Sequence, residues 1–331
     1  MSPKRLRGPL LALLALTLSG CKLVLLDPAG DVARQQSDLM IASVILMSLI
    51  VVPVLVAIGV IAWRYRASNP SAAYEPEWDH STQFELVVWA APLLIIVVLG
   101  AMTWIGTHQL DPYRPLRRIS AHRPMPTHIE PLEVQVVSLD WKWLFFYPQY
   151  GIATVNEMAA PVDRPIHFKL TSKDTMNAFF VPTLAGMIYT MPGMQTVLHA
   201  VINKPGEYDG QSSNYSGSGF TDMRFRFHGL SDADFTHWVA RVRTEGKDLD
   251  ARAFDRLDEP SRAEPVHYYA RFDAGLYRRI LNQCADPGDV CPGQMATMGH
   301  AAMAAMPGHA ADEAMPAAPS PATPAHDAAT H

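Results

Sequence analysis

Cys21, Glu85 and a late group of Met and His residues are the side chains here whose type and placement suit chemistry. Cys21 closes the run Leu18-Ser-Gly-Cys, after a basic start (Lys4, Arg5, Arg7) and an apolar stretch from Leu10 to Leu18. Basic, then apolar, then small residues is the layout of a secretory signal. A Cys in the last place is either a lipidation site, with the thiol held to lipid through a thioether, or incidental to an ordinary signal peptide; the small residues directly before it favour the first. Glu85 stands where an uncharged apolar run begins. A carboxylate at a membrane edge can collect protons and pass them inward. A helix-start Glu is also favoured simply by the helix dipole. The tail carries Met295, Met298, Met303, Met306 and Met315 with His300, His309, His326 and His331. Thioether and imidazole suit copper. The same stretch is rich in Ala and Pro and has almost no other large apolar residue, the composition of a disordered tail.

The elements that must position these groups start with two membrane-length runs. Leu39 to Trp63 has no charged residue, nor has Leu86 to Ile105. At 1.5 Å per residue each run crosses a hydrocarbon core. Pro53 and Pro92 lie inside, which transmembrane helices tolerate. Trp63, Tyr65, Trp89 and Trp104 lie near the ends, as interfacial anchors do. Spans are therefore expected at 38–63 and 85–106, joined by a loop at 64–84. Residues 1–20 are then the signal and 21–37 a short outer segment.

Orientation poses a conflict. Arg114, Arg117, Arg118 and Arg123 follow the second span, whereas the loop mixes Arg64 and Arg66 with Glu75, Glu77 and Asp79. Counting Lys and Arg puts the wrong side in the cytoplasm. A lipidated Cys21 must lie outside, and two crossings return the chain outside. The loop is then cytoplasmic and everything after the second span periplasmic. Net charge is −5 over 331 residues, with no basic stretch for nucleic acid. Cys284 and Cys291 sit in that oxidising compartment, where they either pair as a disulfide or persist as two thiols.

Beyond the spans, period-two alternation marks half-buried strands at 132–137, 166–170, 196–201 and 223–227. Lys204-Pro-Gly206 and the Ser/Gly-rich stretch Gly210 to Gly219 read as loops. This spacing suggests a β-sandwich or barrel with Greek-key connections. Ala233 to Thr244 puts Phe235, Trp238, Val239 and Val242 on one helical face, with Asp232 as its cap. Further helices are expected at 250–257 and 274–283. The outer β-domain is expected at 125–230, a helical extension at 231–291 and a coreless tail at 292–331. His167, His199 and His228 have no ligand spacing between them and read as structural or exposed.

From Cys21 to about residue 283 the chain resembles subunit II of the haem–copper oxidases, in the branch of the bo-type ubiquinol oxidases. The residues that carry the resemblance are Glu85-Leu-Val-Val-Trp89-Ala-Ala-Pro92, Asp140-Trp-Lys-Trp143, Gly151-Ile-Ala-Thr-Val-Asn-Glu157 and Tyr215-Ser-Gly-Ser-Gly-Phe-Thr-Asp-Met223. The resemblance implies two transmembrane helices and a periplasmic, cupredoxin-like Greek-key β-sandwich with C-terminal helices. The cytochrome c branch of this family holds two coppers in that domain. Its loop reads Cys-x-x-x-Cys-Gly-x-x-His-x-x-Met, and another His lies earlier. Laid on that pattern without gaps, Ser212 and Ser216 replace the two Cys, and Phe220 replaces the His. Asn177 stands for the earlier His, while Gly217 and Met223 are kept. Residues 131–230 contain no Cys, and a hydroxyl cannot replace a bridging thiolate.

The resemblance therefore implies the subunit II of a proton-pumping quinol oxidase in a bacterial inner membrane. Ubiquinol is oxidised and oxygen reduced to water. No cofactor is expected in this chain; the haems and a copper belong to subunit I. The partners implied are subunit I, the other oxidase subunits, ubiquinol and membrane lipid. Glu85 is the expected entrance of a proton path into subunit I, and Trp141 and Trp143 are expected to pack on subunit I. Two other classes remain: a periplasmic copper-handling lipoprotein using the Met/His tail, and a two-span scaffold. Co-purification with haem, with copper alone, or with neither separates the three.

Overall fold

The computed structural model describes residues 23–73, 76–126, 128–286 and 288–291. The chain divides into two units, Met1–Ala285 and Asp286–His331. The basic start, Cys21 and the Met/His tail lie outside the described residues.

The uncharged runs form two long helices, α1 (Asp31–Arg64) and α2 (Thr82–Gln109). Helices satisfy every backbone group within one segment, as hydrocarbon requires. Their side chains point outward, with Leu55 62%, Leu93 62% and Trp104 69% exposed. Such faces await lipid or a partner. Helix α1 starts at Asp31, well before the expected 38. Its first turn is docked on the β-domain rather than in the membrane. The Ala29 and Gly30 amides donate to the Thr183 carbonyl at 2.9 Å, and Ala33 donates to Leu184 at 3.3 Å. A Cβ on Gly30 would sit 2.5 Å from the Val201 carbonyl, so this approach requires glycine.

After a short hairpin, β1 (Arg118–Ser120) and β2 (Arg123–Pro124), the chain builds a two-sheet sandwich. The larger sheet begins with β3 (Leu132–Leu139), β4 (Lys142–Tyr147), β5 (Ile152–Val155), β7 (Pro165–Ser172) and β10 (Thr196–Val201). The smaller holds β6 (Glu157–Pro161), β8 (Asn177–Phe180), β9 (Ile188–Thr190), β11 (Gly206–Ser212) and β12 (Arg224–Leu230). Its order is β6-β12-β11-β8-β9. Crossovers make β3 parallel to β7 and β12 parallel to β6. The membrane hairpin followed by a β-sandwich is thus the observed architecture. Strand β11 corrects one expectation: Gly210 to Ser212 pair in the sheet, and the loop starts only after them. Gly210 is there because a Cβ would lie 2.1 Å from the Phe225 ring.

Alternation in β3 sends Leu132, Val134 and Val136 inward and leaves Glu133 and Gln135 half-buried outside. Between the sheets lies an aromatic core. Trp143 meets Phe179 at 5.5 Å and Phe225 at 5.8 Å, both edge-on. Trp143→Ala removes this centre and is expected to cost about 3–5 kcal/mol. Chemical unfolding of the full chain in detergent measures it; a loss under about 1 kcal/mol contradicts the packing role.

The C-terminal part is mixed, not purely helical. Helix α3 (Asp232–Glu245) buries Phe235, Trp238, Val239 and Val242, the face that the spacing predicts. Ser231, rather than Asp232, caps it: Ser231 is extended and its side chain accepts from the Asp234 amide. Asp232 is already the first helical residue. Two strands, β13 (Lys247–Leu249) and β14 (His267–Phe272), join the larger sheet beside β5. Helices α4 (Ala251–Asp258) and α5 (Leu276–Leu281) cover its outer face. There Phe254, Leu257 and Ile280 bury Val137, Leu144 and Phe146.

Candidate functional site

Of the residues at the copper-ligand positions, Asn177 and Ser212 meet where β8 and β11 pair. Ser212 lies opposite Phe179, which brings its hydroxyl to Asn177 Oδ1 at 3.2 Å and to the Asn214 carbonyl at 3.2 Å. The Ala178 amide donates back to Ser212 Oγ at 3.4 Å. Asn177 Nδ2 donates to the Thr175 carbonyl at 3.1 Å. Ser212 donates its amide to the Met223 carbonyl at 3.2 Å, and Met223 is fully buried. Ser216 and Phe220 lie on the loop returning to β12. The Phe220 ring packs on Tyr215 at 5.7 Å.

This donor set does not fit a two-copper centre. An amide, hydroxyls and a phenyl ring stand where imidazoles and bridging thiolates are needed. Asn177 and Ser212 are buried and satisfy each other. Among the described residues no three His, Cys, Asp or Glu side chains converge as a metal site would need.

Trp141 and Trp143 part company. Trp141 fills the β3–β4 turn with a left-handed backbone, φ 59°, a costly conformation for a bulky residue. It is held there by donating Nε1 to the Ser216 carbonyl at 3.0 Å. A Cβ on Gly219 would lie 2.3 Å from its ring, so Gly219 is the shelf on which the indole rests. Trp143 is 0% exposed in the core. Its side chain is therefore closed to any partner, which corrects the expectation that it packs on subunit I. The pair spacing misled because Trp141 is a turn residue, outside the alternation that buries Trp143.

At the other end of the molecule, Glu85 lies in the first turn of α2 and is exposed. Its Oε1 meets His80 Nδ1 at 2.8 Å, and His80 Nε2 meets Thr82 Oγ1 at 3.2 Å. His80 is a neighbour not evident from the sequence; a His just ahead of the helix start is its only signal. Cys284 is buried and Cys291 half-buried.

Glu157 is a hub that sequence reasoning did not single out, although it closes one of the resembling motifs. It accepts from Trp238 Nε1 at 2.8 Å, Tyr268 Oη at 2.8 Å and Arg241 Nη2 at 3.2 Å, with His228 at 3.7 Å. It thereby ties β6 to β12, α3 and β14. Burial alone would raise its pKa, but His228, Trp238 and Tyr268 outweigh that and hold it at about 2. The carboxylate is charged in the fold and its folded pKa lies below its unfolded value, near 4.5. Its contribution is present above about pH 4.5 and lost as pH falls toward 2. That contribution is about 2–3 kcal/mol after allowance for partial solvation. Wild-type protein should lose this stability between pH 5 and 2. Glu157→Gln should lack it already at neutral pH and melt with a flatter profile across that window. Identical pH profiles would contradict the assignment.

His167 and His199 pair in register across β7 and β10, with stacked rings 4.6 Å apart. Burial lowers both pKa values, and the two rings are half-buried neighbours.

Residues 149–228 match the family described as "Cytochrome C oxidase subunit II, periplasmic domain". Residues 243–288 match "COX Aromatic Rich Motif", the stretch holding β13, α4, β14 and α5. The chain is 46% identical to cytochrome bo(3) ubiquinol oxidase subunit 2 of Pseudomonas putida, over 84% of this chain and 86% of the relative. It is 44% identical to the protein of that name in Pseudomonas aeruginosa, over 83% and 80%. The ubiquinol oxidase subunit 2 of Acetobacter aceti is 44% identical over 81% and 84%.

Proposed function

The chain belongs to the family of subunit 2 of the bo-type ubiquinol oxidases, and we propose that it serves there as a subunit without a redox centre of its own. The observation that carries this is the ligand loop: Asn177, Ser212, Ser216 and Phe220 leave Met223 as the single copper-suited side chain. Without thiolates the domain has no route for electrons from a soluble cytochrome. Electrons then come from a membrane quinol to subunit I, which carries the haems and a copper.

This chain's part is to hold and to feed. Helices α1 and α2 offer outward apolar faces to subunit I and lipid, and the sandwich caps the periplasmic side. Trp141, fixed over the remodelled loop, is the aromatic available for contact with subunit I. Glu85 sits on the cytoplasmic edge and hands protons toward subunit I. Cys21 is lipidated at the outer face of the inner membrane, which places the loop at 64–84 in the cytoplasm.

Affinity purification through this chain from native membranes tests the reading. The expected product is a haem-bearing complex that consumes oxygen with ubiquinol. A chain that emerges alone with bound copper would favour copper handling by the Met/His tail instead.

A further inference from the structure

The four arginines after the second span are mostly spoken for. Arg118 Nε donates to Asp31 Oδ2 at 2.8 Å, Arg123 pairs with Asp163 at 2.9 Å, and Arg114 Nη1 donates to the His108 carbonyl at 2.8 Å. Arg117 is exposed, and its guanidinium has no hydrogen-bond or ion-pair partner among the described residues. It lines a cavity of about 290 Å³ together with Arg114, Arg118, Asp31, Asp111 and His199. The cavity lies beside the outer end of α2, just beyond the apolar run that ends at Ile105. Asp31 is 2% exposed, and its second carboxylate oxygen has no partner among the described residues.

A second hollow, of about 550 Å³, opens next to the first and shares Gln35, Gln109, Leu110 and Arg118 with it. It runs between the two helices over Leu39, Met102 and Ile105, where Gly106 lets Leu39 approach. A cup rimmed by three arginines is thus continuous with a groove floored by Leu39, Met102 and Ile105, whose polar end carries Asp38 and Gln35.

We propose that these two hollows bind one phospholipid of the outer leaflet. Its phosphate sits on Arg117 and Arg114, and an acyl chain lies over Leu39, Met102 and Ile105. Guanidinium groups are the preferred donors to phosphate oxygens. The charge of the rim favours a phosphate over a neutral quinone head. The partnerless oxygen of Asp31 makes the wall behind the rim receptive to a head group that also carries a donor, an ammonium or a hydroxyl. This inference goes beyond the oxidase reading. It requires only that the hairpin spans a membrane, and its readout is binding rather than turnover.

The test uses the intact purified complex, stripped of lipid and titrated with dioctanoyl phosphatidylethanolamine, dioctanoyl phosphatidylglycerol, inorganic phosphate or a short-chain ubiquinone. Thermal shift reads occupancy. Wild type should bind both lipids, and Arg114→Gln/Arg117→Gln should need about tenfold more of each. Met102→Trp, which fills the groove, should weaken lipid and leave phosphate unchanged. Preference for the ethanolamine lipid would add an Asp31 contribution; equal binding would leave the phosphate as the part recognised. Unchanged lipid affinity in both variants would overturn the proposal. So would quinone protection abolished by the same arginine changes, or a disulfide between Arg117→Cys and a cysteine on a subunit I loop, which would mean a peptide fills the cup.

Discussion

Glu85→Ala is expected to lower ubiquinol-driven oxygen reduction by about tenfold per haem, equivalent to about 1.4 kcal/mol of barrier. Assembly and haem content should be unchanged. Glu85 is exposed at the start of α2, and among the described residues its side chain pairs with His80 alone. An exposed pair of this kind contributes about 0–1 kcal/mol to stability. Losing it cannot dismantle a membrane subunit, so a large drop in turnover reports chemistry rather than folding. Glu85→Asp keeps a titratable carboxylate at shorter reach and should fall between wild type and Glu85→Ala. If Glu85 is only a favourable helix-start charge, removal costs about 0.3–1 kcal/mol and turnover stays at wild type. Turnover of the assembled enzyme in detergent decides between the two.

The second large effect is a gain. Asn177→His, Ser212→Cys, Ser216→Cys and Phe220→His together are expected to create a strongly coloured sulfur-ligated copper site. Two of the four positions to be changed are already in contact, beside the retained Met223. Asn177 and Ser212 side chains touch at 3.2 Å, and Met223 is buried next to them, its carbonyl bonded to the Ser212 amide. The Trp141 bond to the Ser216 carbonyl is unaffected by the change at the Ser216 side chain. The lost Ser212 bonds cost about 1 kcal/mol each, together still below what metal ligation returns. Visible absorption and electron paramagnetic resonance after copper addition provide the readout. Wild-type chain should show no such spectrum, and a colourless quadruple variant would mean that the loop is no longer a ligand scaffold.

Much of the fold could be read from the residues because burial enforces period. The two uncharged runs became α1 and α2, and the alternating stretches became β3, β7, β10 and β12. In α3 all four residues of the expected face are buried. What escaped was held by backbone or by tertiary contact. Strand β13 buries one residue of three, and β14 shows little alternation, so neither carries a pattern. They are fixed by parallel pairing to each other and by the pairing of β14 with β5. The early start of α1 depends on amide bonds to Thr183 and Leu184, far away in sequence. The pairing of Arg118 with Asp31 and of Arg123 with Asp163 joins residues far apart in sequence, so the residue order did not reveal it. At the ligand loop, alignment of types placed Asn177 and Ser212 in one set. Only the β8–β11 pairing shows how they meet. Glu157 was invisible because its partners come from β12, α3 and β14, and no local spacing announces a hub.

In the proposed role, electrons bypass this subunit. The most direct test is rapid mixing of the purified, oxidised complex with ubiquinol or with reduced cytochrome c, following the haem spectrum. The expected result is prompt haem reduction by ubiquinol and none by cytochrome c, with no near-infrared copper band. Haem reduction by cytochrome c through a two-copper spectrum in this chain would contradict the claim.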